Sequence, residues 1–466
     1  MIMYKQMNLS SAEIVTRNPY LLRDIVVEAA KMCKNVREAL GLLSVSRRFR
    51  HPNVVKGVYG ELNIEGDLAL AVLEYLNREL VFGQTQVLCI EQDYDSEQWR
   101  YEKLRLDNLI RKVNSISIDE VLMPKVGCLG GMREVSIRNC KGPITGLEKL
   151  GRLHRLDLSD SDVHDVSALG NVHILDLSST NVIDVSALGS VYALNLADTA
   201  VSDVSALSNV HTLDLSYTDV IDVNALGNVH SLDLTGTDVS DVSALGKVHS
   251  LDLTGTDVSD ISALGNVYEL SLYNTKVEDV SALKNVHTLV LGETRVCDYN
   301  ALSNVHTLDL SHEWDVLEEY IIGLGKVHTL NLSGCVYLRD VSFLSNVHTL
   351  DLSFTGVRDV SALGNVHTLN LRDCRVEDVS ALGYVHTLDL SHTGVHDVSE
   401  LGSVTKLNLS HTGVTNIYPL WLVRELDVSH TNVAKVPHIN RFLRLDLRGT
   451  KVKDVSRLGN IRELLI

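Results

Sequence analysis

The chain of 466 residues is poor in aromatic side chains, at 5%, although 45% of its residues are hydrophobic. An interior so short of rings has to be filled by Leu, Val and Ala, which suits small, uniform, stacked layers better than one large core. Long hydrophobic runs are missing too. None reaches the roughly 18 residues of a membrane span, and Met1 to Ser10 carries no basic-then-apolar signal pattern. Cations are outnumbered, 42 Lys and Arg against 60 Asp and Glu, a net charge of −18. That balance argues against nucleic acid or an anionic membrane as partner and favours a neutral or basic protein surface. The seven cysteines are scattered, with no CxxC pair, as expected of a chain in a reducing compartment. Asn331-Leu332-Ser333 and Asn408-Leu409-Ser410 would be glycosylation acceptors in a secreted chain, on a surface that must stay clear. The expected location is therefore cytoplasmic or nuclear. No nucleophile–base pair, phosphate loop or metal-ligand motif stands out, so neither an enzyme nor a cofactor is expected.

What the sequence has in abundance is repetition. An apolar-x-apolar step begins at Ile116, Val135, Leu156, Leu175, Leu194, Leu213, Leu232, Leu251, Leu270 and Leu289. It continues at Leu308, Leu330, Leu350, Leu369, Leu388, Leu407, Leu426, Leu445 and Leu464. Of the 18 intervals between these 19 anchors, 15 are 19 residues long and the others 21, 22 and 20. The unit reads V-H-T-L-D-L-S-x-T-x-V-x-D-V-S-A-L-G-N. Alternation through L-D-L predicts a short strand with Leu inward and Asp outward.

The first eleven positions of the unit resemble the leucine-rich repeat L-x-x-L-x-L-x-x-N-x-L. The D-V-S-A-L half, as in Asp165–Leu169, resembles the D-I-S-P-L segment of internalin-type repeats, and Asn416 to Leu420 keeps the proline. The resemblance implies an α/β repeat solenoid with one parallel concave sheet of about 19 strands over residues 109–466. Its convex side has only about eight residues per repeat, too few for a full helix, so extended or 3₁₀ turns are expected. A thin convex side predicts a flat rod, on the order of 90 Å long at about 4.8 Å per strand. The ninth position, Asn in the family, is Thr in most repeats and Cys at Cys140, Cys335 and Cys374. A hydroxyl or thiol can bond backbone locally in the same way, which makes those three cysteines structural.

On such a sheet positions two, three, five, seven and eight face the concave side. His recurs at the second and Asp at the fifth, forming two ladders. The His ladder reads either as a by-product of duplication, with rings packed on one another, or as a pH-sensitive or metal-capturing surface. The eighth position varies from repeat to repeat. It is either a turn residue free to drift or the recognition column, with Tyr217 and Phe354 as aromatic anchors. His392, His411 and His430 in this column are the candidate metal ligands. The stretch Leu270–Leu350 departs most from the consensus. It adds Tyr268, Tyr273, Glu293, His312 and Trp314 to the candidate partner-binding residues, with an unknown target protein expected on the concave face.

Residues 1–108 do not repeat. The expected layout is a small helical domain over 1–60 and a helical or irregular cap over 61–108, with Gln86–Gln92 as a possible first strand. Residues 17–50 resemble an F-box through Pro19, Leu21, Leu22 and Ile25, then Leu40, Leu43 and the Val45-Ser46-Arg47-Arg48-Phe49 close. The resemblance implies docking of a Skp-type linker of a cullin ubiquitin ligase; an ordinary amphipathic helical cap is the alternative. An F-box-like head on such an array resembles F-box/leucine-rich-repeat substrate receptors. The short units are also similar to repeat families of large DNA viruses of protists. The C-terminal Leu464-Leu465-Ile466 ends inside a strand, and an open edge there offers a route to a homodimer.

Overall fold

The computed structural model describes residues 133–140, 142–313, 316–437, 442–455, 458 and 461–466, together with three earlier strands. These are β1 (Leu62–Glu65), β2 (Leu88–Glu91) and β3 (Ser115–Asp119). The F-box-like positions Pro19, Leu21, Leu22, Ile25, Val45 and Phe49 lie outside the described residues, as does Trp314. Packing divides the chain into two compact units, Met1–Val220 and Ile221–Ile466.

In the first unit β1 to β3 continue into β4 (Glu134–Arg138), β5 (Arg155–Asp157), β6 (Ile174–Asp176), β7 (Ala193–Asn195) and β8 (Thr212–Asp214). All pair in parallel, each with the next. Ile116 stands opposite Val135, Val135 opposite Leu156, and so on to Leu213. β1 and β2 fall inside the stretch expected as a helical or irregular cap. Their Ile64 and Ile90 are in register with Ile118, so the sheet begins before residue 109. β2 lies within Gln86–Gln92, the stretch expected as a possible first strand, whereas β1 was not expected, its wider spacing hiding it from a 19-residue period.

The second unit runs from β9 (Ser231–Asp233) and β10 (Ser250–Asp252) to β20 (Arg444–Asp446) and β21 (Glu463–Leu465), again parallel. Leu232, Leu251, Leu270 and Leu289 are in line, and every later anchor pairs with the next to Leu464. At the C-terminal edge Leu464 and Leu465 are half-buried and Ile466 is 70% exposed.

The consensus repeats bury positions 1, 4, 6, 11, 14 and 17, whereas Val452, Val455 and Leu458 of the repeat beginning at Phe442 are only half-buried. In one consensus repeat the buried positions are Val229, Leu232, Leu234, Val239, Val242 and Leu245, none more than 2% exposed. A buried Leu or Val is worth roughly 1.5–3 kcal/mol relative to an exposed one, and no single turn can realise that without a neighbour as its wall. Polar side chains then fasten the corners. The ninth-position hydroxyl donates to the sixth-position carbonyl, as from Thr180, Thr237 and Thr355 at 2.6–2.7 Å. The thiols of Cys335 and Cys374 instead donate to Leu310 and Leu352 of the preceding repeat, at 3.4 and 2.9 Å. Cys140, Cys335 and Cys374 are all buried and none is in a disulfide.

On the convex side the thirteenth-position Asp accepts the amide N–H of the fifteenth residue, as in Asp241 to Ser243 at 2.9 Å. These bonds, from Ser backbone and hydroxyl together, hold Asp165, Asp203, Asp241 and Asp359 below the usual carboxylate range. The turn that follows is a single 3₁₀ turn in many repeats, such as Ser205–Leu207 and Ser281–Leu283. The 22-residue repeat has room for more: a short α-helix, α1 (Glu318–Ile321), precedes a 3₁₀ turn over Ile322–Lys326. Among the described residues no helix is long and apolar enough to cross a membrane.

Candidate interaction surface

Three columns define the exposed concave face. The second position forms stacks of rings. In the first unit His154, His173, Tyr192 and His211 lie face to face with centroids 4.6–4.9 Å apart. In the second, His230, His249, Tyr268, His287, His306, His328, His348, His367 and His386 continue at 4.5–4.8 Å. Many of these imidazoles keep Nδ1 at 3.2–3.3 Å from the hydroxyl of the following Thr, as at His287, His328 and His367. Parallel strands force the pitch, and flat rings fill it. Partial desolvation, then the neighbouring His306 and His348, push the His328 pKa below its ordinary value. Tyr268, one of the residues expected to bind a partner, is a member of this stack.

From β4 onward an Asp or Asn at the fifth position ends most strands with an Asx turn; Ser136, Ser271, Val290 and Leu465 are the exceptions. Its Oδ1 accepts the amide of the seventh residue, as in Asp214 to Ser216 at 2.9 Å and Asp351 to Ser353 at 2.8 Å. Successive carboxylates at one strand spacing repel, and Asn interrupts them. Asn331, Asn370 and Asn408 each donate Nδ2–H to the Oδ2 of the preceding Asp309, Asp351 and Asp389, at 2.8–3.0 Å.

The eighth position is the strained one. Every residue there has positive φ, from Asp160 (56°), Ser179 (52°) and Tyr217 (56°) to Phe354 (60°), His392 (58°), His411 (59°) and His430 (57°). Glycine takes the same place at Gly236, Gly255, Gly334 and Gly449. The left-handed region costs an L-residue roughly 1 kcal/mol, least for Asn and Asp. Sequence reading weighed a drifting turn residue against a recognition column and missed this constraint, although the Gly, Asn and Asp in the column were its signal. Tyr217 and Phe354 stand 65% and 52% exposed. Each buried seventh-position serine, Ser216, Ser353, Ser391, Ser410 and Ser429, is followed by an aromatic or imidazole ring, although Ser311 before His312 is only half-buried. Of these, Ser391 Oγ has no hydrogen-bond partner.

His392, His411 and His430 stack at 4.3 and 4.5 Å with planes 14° apart. Nitrogen lone pairs lie in the ring planes, so in parallel rings they run side by side. A zinc site needs them to converge at about 2.0–2.1 Å from one point. Among the described residues no group of three or more His, Cys, Asp and Glu is placed to hold a metal ion. Partial desolvation, then His392 and His430, lower the His411 pKa. Arg372 lies 6.0 Å from the Phe354 ring centre and pairs with Asp373 at 3.1 Å.

The irregular stretch brings some expected contact residues together. Tyr273 lies along Gly292, where a Cβ would sit 2.5 Å from the ring, and its hydroxyl bonds Glu293, which raises the phenol pKa. His312 is exposed in the eighth column, its ring beside Gly334. Glu313, in a place that Thr usually fills, is buried. Its Oε1 accepts the N–H and Oγ1–H of Thr294 at 2.9 and 2.7 Å, and Tyr299 is buried beside it. Burial pushes Glu313 up, and it pushes the Cys335 thiol up to about 12. This inward polar network was not legible in sequence.

The parallel sheet, the 19-residue register and the thin 3₁₀ side define a leucine-rich-repeat fold. No family model and no curated protein matches the chain. Among solved structures it is similar to an internalin of Listeria monocytogenes, at 20% identity and TM-score 0.40, over 71% of this chain and 89% of that one. It is also similar to the functional domain of Listeria monocytogenes InlJ, which includes a cysteine ladder, at 16% identity and TM-score 0.44, over 66% and 70%. A leucine-rich-repeat protein of Leptospira interrogans aligns at 18% identity and TM-score 0.44, over 72% and 91%.

Proposed function

We propose that the chain is a protein–protein interaction module that reads its partner on the concave face, chiefly through the eighth column. One observation carries this: exposed Tyr217 and Phe354 are held at positive φ where glycine serves other repeats. Their rings cost backbone strain and fill no core, while exposed aromatics contribute disproportionately at interfaces. The test is Tyr217→Gly with Phe354→Gly in the full chain. The variant should melt no lower than wild type yet lose the partner that wild type captures. Capture undiminished in a stable variant removes the reading.

Within it, the F-box resemblance of residues 17–50 supports a substrate adaptor whose array recruits a target to a ubiquitin ligase. The buried thiols of the array, none in a disulfide, suit the reducing interior such a role needs. Pull-down of a purified Skp-type linker by the full chain, abolished by Leu22→Asp with Ile25→Asp, is the expected result. No retention by wild type leaves an interaction scaffold without a ligase link.

A further inference from the structure

The concave face of the second unit divides by charge. From His230 to Phe354, positions two, three, five, seven and eight hold no Lys or Arg and six carboxylates: Asp233, Asp252, Glu269, Glu293, Asp309 and Asp351. From His367 onward the same positions also hold six carboxylates, Asp373, Asp389, Glu425, Asp427, Asp446 and Glu463, but these are matched by six cations, Arg372, Lys406, Arg424, Arg444, Arg448 and Arg462. Lys276 and Arg295 are turned to other carboxylates, Asp257 at 2.7 Å and Glu278 at 4.0 Å. Through the same half runs the ring stack from His230 to His348.

We propose that this acidic half of the concave face docks a Lys/Arg-rich protein segment at neutral pH and that protonation of the imidazole stack releases it. The proposal rests on the interaction-module reading and adds the partner's chemistry and its control. Carboxylates on neighbouring repeats lie within the roughly 8 Å Debye length at physiological salt, so their potentials add along the face. Each exposed pair alone is worth at most about 1 kcal/mol, so the array, not one contact, sets affinity.

Acidification changes the sum. Two imidazolium rings about 4.5 Å apart repel by about 1 kcal/mol in water and by about 4 at an effective dielectric of 20. Roughly alternate rings therefore charge first, and about three new positive charges meet the six carboxylates. Along the chain the stack is flanked by Lys247 and Lys326, two residues before His249 and His328, which oppose protonation. Glu269 next to Tyr268, and Asp233, Asp252, Asp309 and Asp351 three residues beyond their histidines, favour it. Tyr268 adds no imidazole to the stack, and the Thr hydroxyls at Nδ1 can either accept or donate.

The probe is a fluorescent peptide of about 20 residues made of Lys, Arg, Gly and Ser, titrated with the full chain by anisotropy at constant ionic strength. Binding should weaken at least about tenfold between pH 7.5 and 5.5. Replacing His287, His306, His328 and His348 by Tyr, which the stack already accepts at Tyr192 and Tyr268, should keep binding at pH 7.5 and make that loss clearly smaller, His230, His249 and the exposed His312 being left in the same half. Asp309→Asn with Asp351→Asn and Glu293→Gln should weaken binding about tenfold at pH 7.5; Asn already fills the fifth position at Asn331 and Asn370, so the fold is kept. Equal binding of a Glu/Ser peptide, an unchanged pH effect in the Tyr variant, or an unaffected charge variant overturns the proposal. If Phe354→Gly still costs the chain its captured partner, only this inference falls and the module reading stands.

Discussion

The repeats from His230 to Val267 and those from His287 to Val347 share one register and one apolar core, yet they are fastened differently. In the first pair, polar side chains close onto their own repeat. Thr237 and Thr256 bond carbonyls three residues back, and Asp233 and Asp252 bond amides two residues on. The crossing bond is Thr254 to Ser271, where the consensus Asp gives way. In the irregular stretch the bonds run between repeats. Glu313 reaches Thr294, Asn300 Oδ1 accepts the Gly323 amide, Cys335 reaches Leu310, and Glu318 accepts the amides of Arg339 and Asp340. A self-contained unit can be copied without consulting its neighbour, whereas an interlocked one is fixed to its place.

The comparison should vanish in the core. Leu251→Ala and Leu308→Ala, at 2% and 1% exposure, should each cost about 2–5 kcal/mol in urea unfolding. A large inequality would show that the two regions differ in packing as well as in polar fastening.

Glu313 gives the next largest effect and sharpens the contrast. Burial raises its folded-state pKa above the unfolded value. The stability that goes with its protonated form is fully present below the unfolded pKa and is lost as pH rises through the folded one. Glu313→Thr, the consensus choice, should therefore stabilise by about 1–2 kcal/mol at pH 8 and by less at pH 4. Melting curves at the two pH values check it; equal gains at both would show that the carboxyl titrates as in the unfolded chain.

That residue also marks where sequence reading stops. The strands, the inward Leu and Val, the Thr corners and the 3₁₀ side were legible because each follows from a period repeated many times. Glu313 and Tyr299 were visible only as departures. Whether a departure faces solvent or core depends on partners 19 or more residues away, and no period encodes those. The eighth column was legible as variable but was not read as left-handed, although Gly, Asn and Asp, which signal positive φ, make up nine of its seventeen residues and Tyr, Phe and His only six.

A smaller test addresses the crossing bonds directly. Asn300→Ser removes the acceptor for the Gly323 amide and should cost about 1 kcal/mol. Asn224→Ser, at the same position of another repeat, should cost almost nothing, because its role is carried by its backbone N–H bonded to Asp222. Equal costs would break the distinction between self-contained and interlocked repeats.

The smallest effect concerns a crossing bond that recurs at the fifth position. Asn370 donates to Asp351 Oδ2 at 2.8 Å, and its own Oδ1 holds the Arg372 amide at 3.0 Å. Asn370→Asp would keep the second bond, lose the first, and set three carboxylates in a row at one strand spacing. Each new contact of about 4.8 Å repels by nearly 1 kcal/mol in water, less once Arg372 beside it is counted. The expected cost is about 0.5–1 kcal/mol at low ionic strength, fading toward the lost hydrogen bond alone near 1 M salt. Unfolding at both salt concentrations separates the two parts. A cost independent of salt would mean that the Asn residues are kept for their hydrogen bonds and not for spacing the charge of a ladder built by duplication.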